Sequence, residues 1–118
     1  MGFPVVHFEI GCRDNKVTRA FYCELFGWSA EDNGVSTDLQ TGADSGINGH
    51  ITSLGHEPHN YVNIYVGVDD IHAVADRAKQ LGGDIMIPPT EIPGGKGHFA
   101  WITDPEGTTV GLFAPAEA

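Results

Sequence analysis

The stretch Val5-Val6-His7-Phe8-Glu9-Ile10 alternates with a period of two, with Val6, Phe8 and Ile10 on one side and Val5, His7 and Glu9 on the other. That pattern predicts a strand with one apolar face and one face carrying polar groups. His7 and Glu9 then point the same way, about 7 Å apart along the strand. The pattern returns in Val62-Asn63-Ile64-Tyr65-Val66-Gly67-Val68. Here Val62, Ile64, Val66 and Val68 are expected to pack inward, and Asn63, Tyr65 and Gly67 to face the other way.

Laid over one another with His7 on Asn63, the two halves of the chain also match at Gly11 and Gly67, Asp14 and Asp70, Leu25 and Leu81, and Gly27 and Gly83. The matches fall at a strand end, a helix start, a helix end and a helix stop, which is the mark of one unit used twice. In the first unit Asp14 or Asn15 is predicted to cap a helix whose apolar stripe is Val17, Ala20, Phe21 and Leu25, with Gly27 ending it. In the second, Asp69 or Asp70 caps, Ile71, Val74, Ala75, Ala78 and Leu81 form the stripe, and Gly82-Gly83 stops it. Strand-like runs follow each helix. They are 28–31, 35–40 and 47–52 in the first unit and 84–87, 98–103 and 108–113 in the second. Asn33-Gly34 and Asp104-Pro105-Glu106-Gly107 supply turns.

The expected architecture is α+β: two βαβββ modules forming curved mixed sheets around a cleft. Module one covers about 3–54, a linker about 55–60 and module two about 61–115 of a single domain, 1–118. Alternation puts His7, Glu9, Asn48, His50, Asn63, Tyr65, Thr109, Gly111 and Phe113 on the cleft faces. Phe99 and Trp101 join them, since Ala100 and Ile102 suit the helix side. Aromatic walls with few polar groups suit a small molecule.

Charge narrows the partners. The 118 residues carry a formal net charge of −10. Such a surface repels phosphate backbones and anionic lipid, so neither nucleic acid nor membrane is an expected partner. No apolar run approaches the roughly 20 residues that span a bilayer. The N-terminus has neither a signal-peptide pattern nor a myristoylation pattern, so a cytoplasmic location is expected. Cys12 and Cys23 lack disulfide-framework or metal spacing and are expected to be buried thiols. Gly94-Gly95-Lys96-Gly97 lacks the P-loop spacing and reads as a flexible hairpin. His56-Glu57-Pro58-His59 reads as a solvated linker.

His7-Phe8-Glu9-Ile10, Ala20-Phe21-Tyr22 with Phe26-Gly27-Trp28, Val68-Asp69-Asp70, and Asp104-Pro105-Glu106-Gly107 followed by Gly111-Leu112-Phe113 together resemble the glyoxalase/bleomycin-resistance/dioxygenase (vicinal oxygen chelate) superfamily. The likeness is greatest to its short, single-domain members with Thr90-Glu91-Ile92-Pro93-Gly94 before the penultimate strand. The resemblance implies paired βαβββ modules and a homodimer. In the metal enzymes of this family, ligands come from the first and last strands of each module. Carried over, His7 matches the first ligand and His50 offers a second. Asn63 stands where His is usual, and Gly111 where Glu is usual.

A catalytic divalent site needs about three protein ligands. The expectation is therefore a protein without a cofactor that binds a small molecule in the cleft through His50, Asn63, Tyr65, Phe99, Trp101, Gly111 and Phe113. The alternative cofactor is a divalent metal on His7 and His50. An alternative activity is that of a lyase, isomerase or dioxygenase, either metal-dependent or with Glu9 or His7 as catalytic base. A further alternative is a non-catalytic interaction module.

Overall fold

A computed structural model describes residues 2–32, 36–53 and 59–116. The Asn33-Gly34 turn and most of the expected linker, with His56, Glu57 and Pro58, lie outside them. The elements run β1 (Val5–Gly11), α1 (Asn15–Phe26), β2 (Ser29–Asp32), β3 (Thr37–Gln40), β4 (Gly49–Thr52), β5 (Tyr61–Gly67), α2 (Ile71–Gln80), β6 (Asp84–Glu91), β7 (His98–Thr103) and β8 (Thr109–Ala114). This is the twice-repeated βαβββ order that the sequence predicts.

The chain divides into two compact units, His7–Asn63 and Met1–Val6 with Ile64–Ala118. They are called module one and module two below. Module one thus holds most of β1 and the first residues of β5.

In module one the strand order is β2-β3-β4-β1, with β1 and β4 parallel and the other pairs antiparallel. Ile10, Cys12, Leu39 and Ile51 form its core. The α1 N-cap is Asp14, whose carboxylate accepts from the backbone N–H of Lys16 at 3.0 Å and of Val17 at 3.3 Å. Gly27 closes the helix in the left-handed region, at φ 73°, where a side chain is disfavoured. The helix turns a different side to the sheet than its apolar spacing predicts. Tyr22 and Cys23 pack on the core, whereas Val17, Phe21 and Leu25 are 66%, 58% and 58% exposed. The helix carries apolar residues on more than one side, so spacing alone does not choose the inner one.

In module two the order is β5-β8-β7-β6, again with one parallel pair, β5 and β8. Val68, Ile71, Ala75, Ala100, Leu112 and Ala114 form its core. Asp70 caps α2 by accepting from the N–H of Ala73 at 3.1 Å. The predicted α2 stripe is inward except at Leu81, which is exposed.

Two strands depart from expectation. β6 runs four residues past its predicted end, through Pro88-Pro89. It is the edge strand, where a missing N–H costs no ladder bond, and its pairing with β7 shifts register on both sides of Ile87. On β5 the departure is confined to its first half: Asn63 and Tyr65 are buried while Val62 and Ile64 are exposed, whereas Val66 packs against the module-two core and Val68 belongs to it, as the alternation predicts.

Both cysteines are unbridged; Cys12 is buried and Cys23 half-buried. The 94–97 segment is a hairpin turn closed by the Ile92 N–H on the Gly97 carbonyl at 2.8 Å.

Candidate functional site

The parallel pairing of β1 with β4 sets Glu9 beside His50, and the antiparallel pairing of β3 with β4 sets Asp38 on the other side of His50. Directly paired residues share a face, so Asp38, His50 and Glu9 make a polar row across three strands. His7, two residues before Glu9, stands on that face too.

The side chains join up. His7 Nε2 and His50 Nδ1 are 2.6 Å apart and share a hydrogen bond. His50 Nε2 lies 3.5 Å from a Glu9 carboxylate oxygen. The Tyr61 hydroxyl donates to the other Glu9 oxygen. The Tyr61 ring occupies the space a side chain would take at Gly11, which is why Gly11 bears none. Glu9 is only 3% exposed, whereas the His50 side chain keeps 21% of its surface in solvent.

Burial decides the charge states. It is the main reason the His7 pKa is held down at about 4, with His50 adding to the effect and Glu9 and Asp38 opposing it. His50 is lowered as well, again chiefly by burial and against the pull of Glu9 and Asp38. Tyr61 is pushed above its ordinary value by burial first and by its bond to Glu9 second. At neutral pH both imidazoles and the phenol are uncharged.

The carboxylate of Glu9 favours the proton on His50 Nε2. His50 Nδ1 then accepts from His7 Nε2–H, which leaves the second lone pair on His7 Nδ1. The arrangement can orient a ligand by hydrogen bonds and pass a proton along one line.

A divalent ion does not fit this donor arrangement. The lone-pair directions of His7 Nε2 and His50 Nδ1 are aimed at each other, where metal ligands converge on one point. Among the described residues no three His, Cys, Asp or Glu side chains are grouped to hold a metal.

Module two builds the matching row from Trp101, Gly111 and Tyr65. Trp101 Nε1 donates to the Tyr65 hydroxyl at 2.8 Å. Tyr65 and Trp101 are 7% and 4% exposed, which corrects their expected role as open aromatic walls. Gly111 is buried beneath the Tyr65 ring, with no room for the ligand side chain usual at its position. Phe99 and Phe113 are half-buried, paired across β7 and β8. Asn48 is exposed and holds the loop before β4 by accepting from the N–H of Thr41 at 3.0 Å.

His7, Glu9 and His50 are thus brought together. Asp38 and Tyr61 are the residues the sequence reading missed. Asp38 lay in a predicted strand but in no motif, and Tyr61 stood at the edge of the expected linker.

A family model described as the Glyoxalase/Bleomycin resistance protein/Dioxygenase superfamily matches residues 5–112. A relative from Mycobacterium bovis named "Putative glyoxylase CFP32" is 33% identical over 113 residues, which is 89% of this chain and 43% of that protein. A "Probable lactoylglutathione lyase" from Vibrio cholerae is 38% identical over 58 residues, 49% of this chain and 42% of that protein. The chain spans less than half the length of these curated relatives.

Among solved structures, hypothetical protein BH1468 from Bacillus halodurans has a TM-score of 0.74 at 17% identity, covering 100% of this chain and 98% of that one. A methylmalonyl-CoA epimerase has a TM-score of 0.69 at 16% identity, with 98% and 97% covered.

Proposed function

Because the chain belongs to the glyoxalase/bleomycin resistance protein/dioxygenase superfamily, we propose that it binds a small organic molecule, without a resident metal, at the polar face of module one. The observation that carries this reading is the difference between the two repeats. Module two makes the same sheet row from Trp101, Gly111 and Tyr65 where module one has Asp38, His50 and Glu9, so the fold does not require two carboxylates and an imidazole there. Burying Glu9, His50 and His7 is costly in itself. His7 and His50, whose pKa values burial lowers and which the architecture does not need, are candidates for binding or chemistry.

The test is a panel of small neutral aromatic compounds followed by amide NMR shifts. At least one should perturb residues around His7, Glu9 and His50. His50→Ala should weaken that compound by about tenfold or more, which is the scale of one lost polar contact. If no compound binds, or if the purified protein carries a full equivalent of divalent metal that His7→Ala removes, the reading fails.

The same proposal includes a homodimer. Val17, Phe21 and Leu25 make an exposed apolar ridge along α1. The ridge is self-complementary about Phe21: in antiparallel two-fold packing Val17 of one copy meets Leu25 of the other, and Phe21 meets itself. Light scattering at micromolar concentration should give twice the chain mass, and Phe21→Glu should return it to a monomer. A wild type of single-chain mass at that concentration sinks the dimer. Among the described residues no helix is long and apolar enough to cross a membrane.

A further inference from the structure

Asn63 is 3% exposed, and neither its side-chain nitrogen nor its side-chain oxygen has a hydrogen-bond partner among the described residues. A buried amide with no partner is unfavourable, and few native side chains are left so. The flanking positions, Val62 and Ile64, are apolar, so an apolar residue at 63 would fit the composition of this strand without the penalty.

Asn63 lies two residues from Tyr61 and therefore on the same face of β5. The Tyr61 hydroxyl reaches Glu9. The unsatisfied amide thus belongs to the side of module one that carries the Tyr61–Glu9–His50–His7 chain.

We propose that Asn63 is the recognition group of this site and that it reads a neutral amide or lactam edge. This rests on the small-molecule reading above and names its ligand class. A carboxamide offers a carbonyl acceptor and an N–H donor side by side. Its complement is another donor and acceptor side by side, as in a primary amide, a lactam or a cyclic imide. A carboxylate ligand has no donor for the Asn63 oxygen and would add negative charge near Glu9 and Asp38. An ammonium has no acceptor for the Asn63 nitrogen.

Four probes test this: benzamide, 2-pyridone, N,N-dimethylbenzamide and benzoate, titrated into the full chain by NMR. Benzamide and 2-pyridone should bind. Dimethylbenzamide, which has lost the donor, and benzoate should each bind at least tenfold more weakly. This arm needs no variant.

Asn63→Leu, which keeps the branched heavy-atom skeleton of Asn without its polar atoms, should lose at least tenfold in benzamide affinity. It should also raise the Tm of the ligand-free protein by about 4 °C or more, because an unsatisfied amide has been removed. A fall in Tm would mean that the amide is structural and would overturn the proposal. So would unchanged benzamide affinity in Asn63→Leu, or benzoate binding as well as benzamide. If benzamide affinity falls in His50→Ala but not in Asn63→Leu, the module-one site stands and the role of Asn63 falls. If neither benzamide nor 2-pyridone binds the wild type, the ligand class is wrong, and the wider aromatic panel decides whether the site itself survives.

Discussion

Gly111→Glu is expected to destabilise the chain by about 3–5 kcal/mol, the range in which overpacking and an unpaired buried charge act together. The substitution is the one that would restore the acidic ligand usual at this position in the family's metal enzymes. The space is already taken. A Cβ on Gly111 would lie 2.5 Å from the Tyr65 ring. Tyr65 is 7% exposed and its hydroxyl holds the Trp101 indole, so the ring cannot swing aside without breaking that bond. The carboxylate would also enter a row of aromatic groups with no cation among them.

Urea unfolding followed by tryptophan fluorescence measures the loss directly. Gly111→Ala, which adds only the clashing Cβ, should show about a third to a half of it. A Gly111→Glu protein as stable as the wild type would mean that Tyr65 is not packed over this position.

The module-two row shows what a sequence can and cannot reveal. Periodicity located the strands well. His98–Thr103 is found at its predicted bounds, and both helices begin at their acidic caps. Periodicity does not say which of two alternating faces is the buried one. Val62 and Ile64 look like core and are exposed, although Val66 and Val68 on the same face do pack on the core, and Asn63 and Tyr65 on the other face are buried. The α1 stripe failed for a related reason, since Tyr22 and Cys23 on another side of the helix compete for the core and are the ones that pack on it.

His7 and Glu9 were legible because they lie on one strand. Their relation to His50 depends on a parallel pairing across 40 residues or so of chain, which no local rule provides. Asp38 and Tyr61 were legible only as a strand residue and a boundary residue. What makes them part of the site is register: the β3–β4 pairing for Asp38, and the fit of the Tyr61 ring into the empty side of Gly11.

Glu9→Gln separates the members of this chain by the sign of their response. Glu9 raises the Tyr61 pKa, both through its hydrogen bond and through its charge. Without that charge the phenol should ionise at lower pH than in the wild type, although burial still holds it above the ordinary value. Glu9 also pulls the two histidines upward against burial. Its loss should therefore make both imidazoles harder to protonate. A fall for the tyrosine and a fall for both histidines is the signature of a carboxylate that faces all three. Ultraviolet titration of the phenolate and NMR titration of the imidazole protons measure them separately.

The stability consequence follows from linkage. In the wild type His7 titrates at about 4 in the folded chain, against 6.5 when unfolded. Stability is then fully present above pH 6.5 and is lost as pH falls through 4, because the unfolded chain binds the proton first. In Glu9→Gln the folded value drops further, so the acid loss should deepen and extend to lower pH. At neutral pH the variant should be less stable by about 1–3 kcal/mol, the cost of a mismatched amide between the Tyr61 hydroxyl and the His50 N–H. Unchanged histidine titration in Glu9→Gln would show that His50 does not face Glu9, and the polar chain on which the proposed site depends would have to be abandoned.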